Sequence, residues 1–307
     1  MNRSWDLDDL EVFCGVAKRS SFTAAATDLG ISPAYVTKRI ARLERALGVT
    51  LFHRTTRRVH ISTEGEIAYA WARKMLDAAD GMHSEVASAK GSPTGTLRLS
   101  TSLRLGRNHV SHILSLLRKK HPALDIWLEL VDRRVDLIAE GFDIDIRVGE
   151  VSEPHLVARK IAPSARILCA APAYLKRRGR PRTLAELAQH DCLLFRDREQ
   201  AFGVLRMEGP NGAESVKVTG PLGSNHSDPV RNWALAGHGI VLLSSWDIAE
   251  KLRDGSVERV LPQYRQSADV YAVMPTRASH LAKLSVCVDF LVKHLTQGPY
   301  ALDTAID

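Results

Sequence analysis

Residues 21–65 constrain this chain more than any other stretch, because they read as two helices joined by a tight turn and then a basic hairpin. Residues 23–29 are short and alanine-rich, with Ala25, Ala26 and Leu29 at helical spacing. Gly30 stands where a glycine commonly ends a helix. Ser32-Pro33 then supplies a capping serine followed by proline at the first helical position. The helix that follows carries Val36, Ile40, Leu43 and Leu47 along one face. Its other side shows Lys38, Arg39, Arg42 and Arg45, relieved only by Glu44, and Gly48 stops it. A short helix, a glycine turn and a basic second helix predict a helix-turn-helix, whose second helix fits the major groove of double-stranded DNA. Residues 51–62 follow as apolar Leu51-Phe52, a polar tip with Arg54, Arg57 and Arg58, and an alternating strand, which predicts a wing. Residues 7–18, with Leu10, Phe13, Cys14 and Ala17 as an apolar stripe, predict a first helix packed across the other two.

Charge agrees with that reading through its position. The formal net charge is +7 over 307 residues, which by itself fits a polyanionic partner or an ordinary basic globule equally well. From Lys38 to Arg58, however, seven Lys and Arg face one acid. The four cysteines at 14, 169, 192 and 287 form no CxxC or Cys/His spacing, as expected of reduced thiols in the cytoplasm. His53, His60, His109, His112 and His121 lack a ligand set for a metal. Neither a Ser-His-Asp arrangement nor a phosphate loop is apparent, so neither enzymatic activity nor a metal or organic cofactor is expected. The acidic first residues hold no apolar signal core, and no run approaches the ~18 apolar residues of a membrane span. A soluble, cytoplasmic protein is expected.

Beyond the wing the pattern changes twice. Thr63 with Glu66 three residues on reads as a capping box. The helix it opens runs unbroken to about residue 89, with Ile67, Trp71, Ala78 and Met82 on one side. A lone helix this long, with a narrow apolar stripe, predicts pairing with a second copy. Residues 91–95, GSPTG, are a hinge by composition. Strand and helix patterns then alternate, with strands at 97–100, 126–130 and 144–148 and helices at 106–120 and 134–139. A second series begins at 167–170, passes through a hairpin at 209–212 and ends with a strand at 270–274 and a helix from 279. Alternation of this kind predicts parallel sheets with crossover helices.

The run AAATDLGISPAYVTKRIARLERALGVTLFHR resembles the N-terminal signature of LysR-type transcriptional regulators, in its paired alanines, Ser32, Thr37, Ile40, Arg42-Leu43-Glu44, Leu47-Gly48 and Leu51-Phe52. The resemblance extends over the whole chain. It implies an all-α winged helix-turn-helix plus an α/β effector-binding domain of two lobes, built like a periplasmic binding protein. The expected division is a DNA-binding domain at 1–62, a dimerisation linker helix at 63–90, a hinge at 91–95, an effector domain at 96–300 and a tail at 301–307. Lobe I would comprise 96–163 and 268–300, and lobe II 164–267. The resemblance further implies a dyad-symmetric, AT-rich operator, a dimer through 63–90 that forms a tetramer, contact with RNA polymerase, and a small effector. Stretches such as LRLGRNHV, ELVDRRVDL, DIDIRV, RILCAAPAYL and SSWDI resemble the tartrate- and malate-type members, which implies a hydroxy-dicarboxylic acid as effector. One departure is local: many members place Gln directly after the capping serine, where this chain has Pro33.

Candidate DNA contacts are therefore Ser32, Pro33, Ala34, Tyr35, Thr37, Lys38, Arg39 and Arg42 on the second helix and Arg54, Arg57 and Arg58 on the wing. With Gln absent, base reading falls to Tyr35, Thr37, Lys38 or Arg39, and the wing arginines hold phosphate or minor groove. Candidate effector contacts are Ser100, Thr101 and Ser102 at the carboxyl end of the first strand, with Arg107 and Arg147 as cations. Asn225, His226 and Ser227 precede a helix of the second lobe and would close over the ligand. Asp143 and Asp145 are expected on the polar face of their strand with Arg147. Two rival readings make opposite demands: an architectural DNA binder needs an apolar, filled cleft, and a solute-binding protein needs a signal peptide.

Overall fold

The computed structural model describes residues 5–54, 59–88, 93–149, 151–196, 203–276 and 281–303. They form two compact units, 1–86 and 87–307. In the first unit, α1 (Leu7–Arg19), α2 (Phe22–Leu29) and α3 (Pro33–Leu47) are followed by strands β1 (Phe52–Arg54) and β2 (Val59–Ile61) and by α4 (Thr63–Ser88). Each start is capped in side-chain terms. Asp6 and Asp9 form a reciprocal capping box on α1, Ser21 accepts from the Ala24 amide, and Ser32 accepts from the Tyr35 amide. Gly30 and Gly48 end α2 and α3 at φ +67° and +71°, a region that costs a side-chain-bearing residue energy. The core between them holds Phe13, Val16, Ala25, Val36, Ile40, Leu43 and Leu51, all essentially inaccessible. Phe13 and Phe22 both pack on Phe52 of the wing, with ring centroids 5.4 and 5.7 Å away.

Glu44, the one acid of the basic run, accepts from the Leu51 amide at 2.8 Å and so ties α3 to the wing. Leu47, expected in the core, is 42% exposed at the end of α3. The cap of α4 is Ser62 rather than Thr63. Its hydroxyl accepts from the Gly65 amide at 2.9 Å and donates to the Thr50 carbonyl, which makes the cap part of the wing junction. Gly65 is required there, since a Cβ would stand 2.3 Å from the Leu51 carbonyl oxygen. Along α4, Ala72 and Leu76 face the core while Ile67, Trp71, Met75 and Met82 are exposed.

The second unit is built on two mixed sheets. Lobe I contributes β3 (Gly95–Thr101), α5 (Leu103–Leu105), a π-helical turn (Gly106–Val110), α6 (Ser111–Lys120), β4 (Leu124–Leu130), α7 (Leu137–Glu140), β5 (Ile144–Val148) and β6 (Leu156–Ala162). Lobe II follows with β7 (Ala165–Ala170), α8 (Pro172–Arg178), a 3-10 turn (Ala185–Gln189), β8 (Cys192–Phe195), β9 (Val204–Gly209), β10 (Gly212–Lys217), β11 (Gly223–Ser224), α9 (Ser227–Leu235), β12 (Ile240–Ser244), α10 (Ser245–Arg253), β13 (Glu258–Val260) and β14 (Gln266–Ser267). The chain returns to lobe I through β15 (Val270–Pro275) and α11 (Ala282–Thr296).

The lobe I sheet runs β4-β3-β5-β15-β6, and that of lobe II runs β11-β8-β12-β7-β13 with β14 beside β7. Only part of each sheet is parallel. β3 pairs parallel with β4 and β5, but the returning β15 is antiparallel to β5 and β6, and β7 is antiparallel to β12 and β13. The strands contributed at the two crossings run against the βαβ direction, which local alternation does not reveal. The helix expected from residue 106 starts three residues earlier, at Leu103. Gly106 permits this, because a Cβ there would meet Leu130 and Thr101 side chains at 2.1 and 2.8 Å.

All four cysteines are buried, and burial pushes the thiols of Cys169, Cys192 and Cys287 up to about 12. A thiol held protonated is a poor nucleophile. The native protein should therefore release no thiolate chromophore with a disulfide reagent at pH 8, and denatured protein should titrate four thiols. A fast-reacting cysteine in the native state would contradict this packing.

Candidate DNA-contacting surface and effector cleft

On α3, the residues Ser32, Pro33, Ala34, Tyr35, Thr37 and Lys38 are all exposed. Ser32 is committed to its cap, and the Thr37 hydroxyl donates to the Pro33 carbonyl at 3.0 Å, leaving its oxygen lone pairs outward. Lys38 lies on the same surface. Arg39 does not join it. Its side chain is 11% exposed and donates to Asp6, Asp8 and Asp9 of the α1 start at 2.8–3.0 Å, and to the Tyr35 hydroxyl at 2.8 Å. Burial opposes its charge, yet the bonds to Asp6, Tyr35 and Asp9 raise its pKa well above the ordinary value. The expectation of Arg39 as a DNA contact is corrected accordingly: it is the strut between α1 and α3, held by acids 30 to 33 residues away in sequence. Arg42 is divided, half-exposed but bonded to Asp6 at 3.1 Å and near Asp9 at 3.5 Å. The wing tip with Arg57 and Arg58, and the side chain of Arg54, lie outside the described residues.

Between the lobes of the second unit lies a cleft of about 620 Å³, partly open to solvent. Lobe I lines it with Ser102, Arg104, Asp132, Ile146, Arg147 and Val148, and lobe II with Arg166, Phe195, Arg196, Asn225, Ser227, Leu243, Ser244, Trp246 and Asp247. Of the expected contacts, Ser102, Arg147, Asn225 and Ser227 are brought together here. Ser100 and Thr101 are not. Both are fully buried on β3, where Ser100 donates to Asp145 at 2.7 Å and Thr101 to the Ile146 carbonyl at 3.0 Å. Their hydroxyls knit β3 to β5, and the strand runs one residue past its expected end to take in Thr101. Asp145 is likewise buried rather than on a polar face, and it holds Arg147 at 3.1 Å, with Glu153 on the other side at 2.8 Å. Burial works against the Arg147 charge, and Glu153 and Asp145 overcome it to raise its pKa.

Arg107 is a rim residue, 54% exposed and 3.3 Å from Asp228. His226 does not line the cleft. Its Nδ1 lies 2.7 Å from Asp132, whose other oxygen accepts the Leu103 amide at 3.0 Å, so the helix start expected to be free is already capped. The main cation is one that sequence reasoning missed. Arg104, 12% exposed, reaches across from lobe I to Asp228 at 2.9 Å and to Asp247, both in lobe II. Asp247 is nearly inaccessible, and burial raises its pKa while Arg104 pulls it back. A spacing signal did exist, since Arg104 and Arg107 sit one helical turn apart and share Asp228. Asp132, Arg166, Phe195, Arg196, Ser244 and Trp246 carried no such local mark, because only the approach of the lobes assembles them.

Chemically, the cleft offers guanidinium groups for carboxylates and Asp132, Asp247, Asn225 and three serines for hydroxyls. Among the described residues no group of three or more His, Cys, Asp or Glu is placed to hold a metal ion, and no helix is long and apolar enough to cross a membrane.

A helix-turn-helix unit and a two-lobed binding unit on one chain define a transcription regulator with an effector-binding domain, not an enzyme. Residues 7–66 match the bacterial regulatory helix-turn-helix protein of the lysR family, and residues 90–296 match the LysR substrate binding domain. The chain belongs to the LysR family of transcriptional regulators. It is 43% identical to the HTH-type transcriptional regulator DmlR of Escherichia coli (strain K12), over 97% of each chain. It is 39% identical to the HTH-type transcriptional activator TtdR of Escherichia coli (strain UTI89 / UPEC), over 95% of this chain and 94% of that one. Among solved structures, the full-length virulence activator AphB of Vibrio cholerae is similar with TM-score 0.59 and 28% identity, over 94% of this chain and all of that one. The regulator CrgA of Neisseria meningitidis is similar with TM-score 0.59 and 26% identity, over 94% and 99%.

The contrast between Lys38 and Arg39 is testable. Lys38→Gln should weaken DNA binding in an anisotropy titration while leaving the urea midpoint unchanged. Arg39→Gln should instead cost about 2–3 kcal/mol of stability, because it strips a buried carboxylate of its main partner while Arg42 compensates in part. In the second unit, Arg104→Met should destabilise by about 2–4 kcal/mol, since Asp247 is left buried without its cation. The double variant Arg104→Met/Asp247→Leu should recover most of that loss in the same urea titration.

Proposed function

We propose that this regulator binds a small hydroxy-dicarboxylic acid of the malate or tartrate type in the cleft and thereby changes how it engages its operator. The observation that carries the reading is the lining itself: four guanidiniums from both lobes, interleaved with carboxylates and hydroxyl groups. A dianion bearing hydroxyls satisfies both kinds of group, with its carboxylates on arginine and its hydroxyls donating to Asp132 or Asp247. The names of the relatives DmlR and TtdR support a shared regulatory role. Because both lobes supply contacts, such a ligand favours one lobe arrangement over another, which is what coupling to DNA requires. The polar lining speaks against an architectural DNA binder, whose cleft would be apolar and filled.

On the DNA side, Pro33, Ala34, Tyr35, Thr37 and Lys38 read bases or touch the backbone from α3, and Arg42 with the wing residues Arg54, Arg57 and Arg58 adds phosphate contacts. The exposed Ile67, Trp71, Met75 and Met82 of α4 form an apolar stripe that a second copy would cover, giving a dimer through residues 63–90. Two dimers forming a tetramer, contact with RNA polymerase and a cytoplasmic location complete this reading.

Thermal unfolding in the presence of L-malate, D-malate, tartrate and succinate tests it. One of the hydroxy acids should raise the midpoint in a concentration-dependent way, by an amount following RT ln(1 + [L]/Kd), and succinate should do less. No stabilisation by any of them, in protein that binds its promoter DNA, would overturn the effector assignment.

A further inference from the structure

The distribution of charge over the chain is the reverse of what a DNA-binding unit alone would need. Residues 1–86 hold 12 Lys and Arg against 11 Asp and Glu, whereas residues 87–307 hold 30 against 24. Most of that surplus lies in residues 164–267, with 15 against 11, and its densest part is 176–182, KRRGRPR, five cations without an acid. A cleft for one small acid does not explain it, since these residues do not line the cleft. The favourable field of a helix C-terminus accounts for Lys176, Arg177 and Arg178 in the last turn of α8, but Arg180 and Arg182 lie beyond the helix.

The segment is held as a ridge. Buried Pro181 and Leu184 anchor it, and the turn at Gly179 (φ +83°) redirects the chain after α8. Arg177 donates to the Gly237 carbonyl at 2.9 Å and lies over the Tyr174 ring, and Arg178 donates to the Gln189 carbonyl at 3.2 Å. Those bonds go to carbonyl oxygens, which fix position without cancelling charge. Arg180 pairs with Glu258, and Arg178 has Asp191 only at 3.9 Å. The exposed Lys176 side chain makes no hydrogen bond or ion pair among the described residues, and the exposed Arg182 side chain has only the charge of Glu186 near it, whose carboxylate accepts from the Arg182 backbone amide at 2.9 Å.

We propose that this 176–182 ridge of lobe II is a second, sequence-independent contact for duplex DNA, engaging phosphates outside the stretch read by α3. Duplex DNA is the polyanion that a LysR-family chain already holds, so flanking phosphates are presented at high effective concentration once the helix-turn-helix is bound. Guanidinium forks on a fixed backbone match phosphate oxygens, and each phosphate neutralised releases condensed counterions.

The test uses full-length protein and fluorescein-labelled duplexes of arbitrary sequence, 20 and 80 bp long, titrated between 50 and 200 mM KCl. For the unsubstituted chain, the dependence of log K on log salt should be steeper on the 80-bp duplex. Lys176→Gln/Arg182→Gln should lower that slope by about 2 on the 80-bp duplex and weaken binding roughly tenfold or more at 50 mM, while 20-bp binding stays unchanged. The charge-reversing Lys176→Glu/Arg182→Glu should weaken 80-bp binding further, and the Gln variant should stay close to the parental thermal midpoint because Lys176 has no internal partner and Arg182 only the attraction of Glu186. Equal slopes for parent and variants on 80 bp would overturn the proposal. So would unchanged DNA binding with lost transcription from a bound promoter, which would assign the ridge to an acidic protein surface instead.

Discussion

A guanidinium buried between two bodies must find its carboxylates on one or both of them, and the effector unit is arranged around that requirement. Arg104 belongs to lobe I, yet Asp228 and Asp247 belong to lobe II. The His226–Asp132 pair runs the opposite way, with the acid in lobe I. The two pairs hold the lobes at a defined separation, and the cleft exists because polar groups of both lobes meet there instead of apolar ones. In the proposed function, an entering anion would compete for Arg104 with the two carboxylates already in place. On that reading, effector binding and lobe geometry would be linked through the same guanidinium, a ligand acting by changing which oxygens that cation prefers.

The same rule shapes the DNA-binding unit on a smaller scale. Asp9 is fully buried at the start of α1 and survives there as a capping acid because Arg39 reaches it from α3. Glu44 performs the complementary task, using its carboxylate on backbone amides of the wing. One basic helix thus sends its cations in two directions: Lys38 faces outward, while Arg39 fastens the first helix to the third. Charge on a recognition helix is not a uniform contact surface, and its direction follows from which acids lie beneath it.

Much of the architecture was legible because its signals are local. Ser32-Pro33, Gly30 and Gly48 mark helix ends through cap chemistry and positive φ, and the spacing of Val36, Ile40 and Leu43 marks the buried face. Strand and helix alternation after residue 95 likewise announced α/β sheets, and the family resemblance implied their division into two lobes. The antiparallel direction of β15 and β7 was not legible, since strand direction depends on where a returning segment docks. At the cleft, Ser102, Arg147, Asn225 and Ser227 were visible as residues at strand and helix ends. Ser100 and Thr101 misled because their hydroxyls turn inward to β5, where they donate to the Asp145 carboxylate and the Ile146 carbonyl.

By itself, then, the sequence determined the family, the helix-turn-helix with its caps and turns, and the strand–helix alternation of the α/β part, because each is encoded by residues a few positions apart. Tertiary structure alone decided that Arg39 is a strut, that Ser62 and Gly65 lock the wing to α4, and that Arg104 with Asp228 and Asp247 spans the cleft. Those outcomes depend on contacts that reach from 12 residues (Ser62 to Thr50) to more than 100 (Arg104 to Asp247) along the chain, and such partners are chosen by packing, not by spacing along the chain.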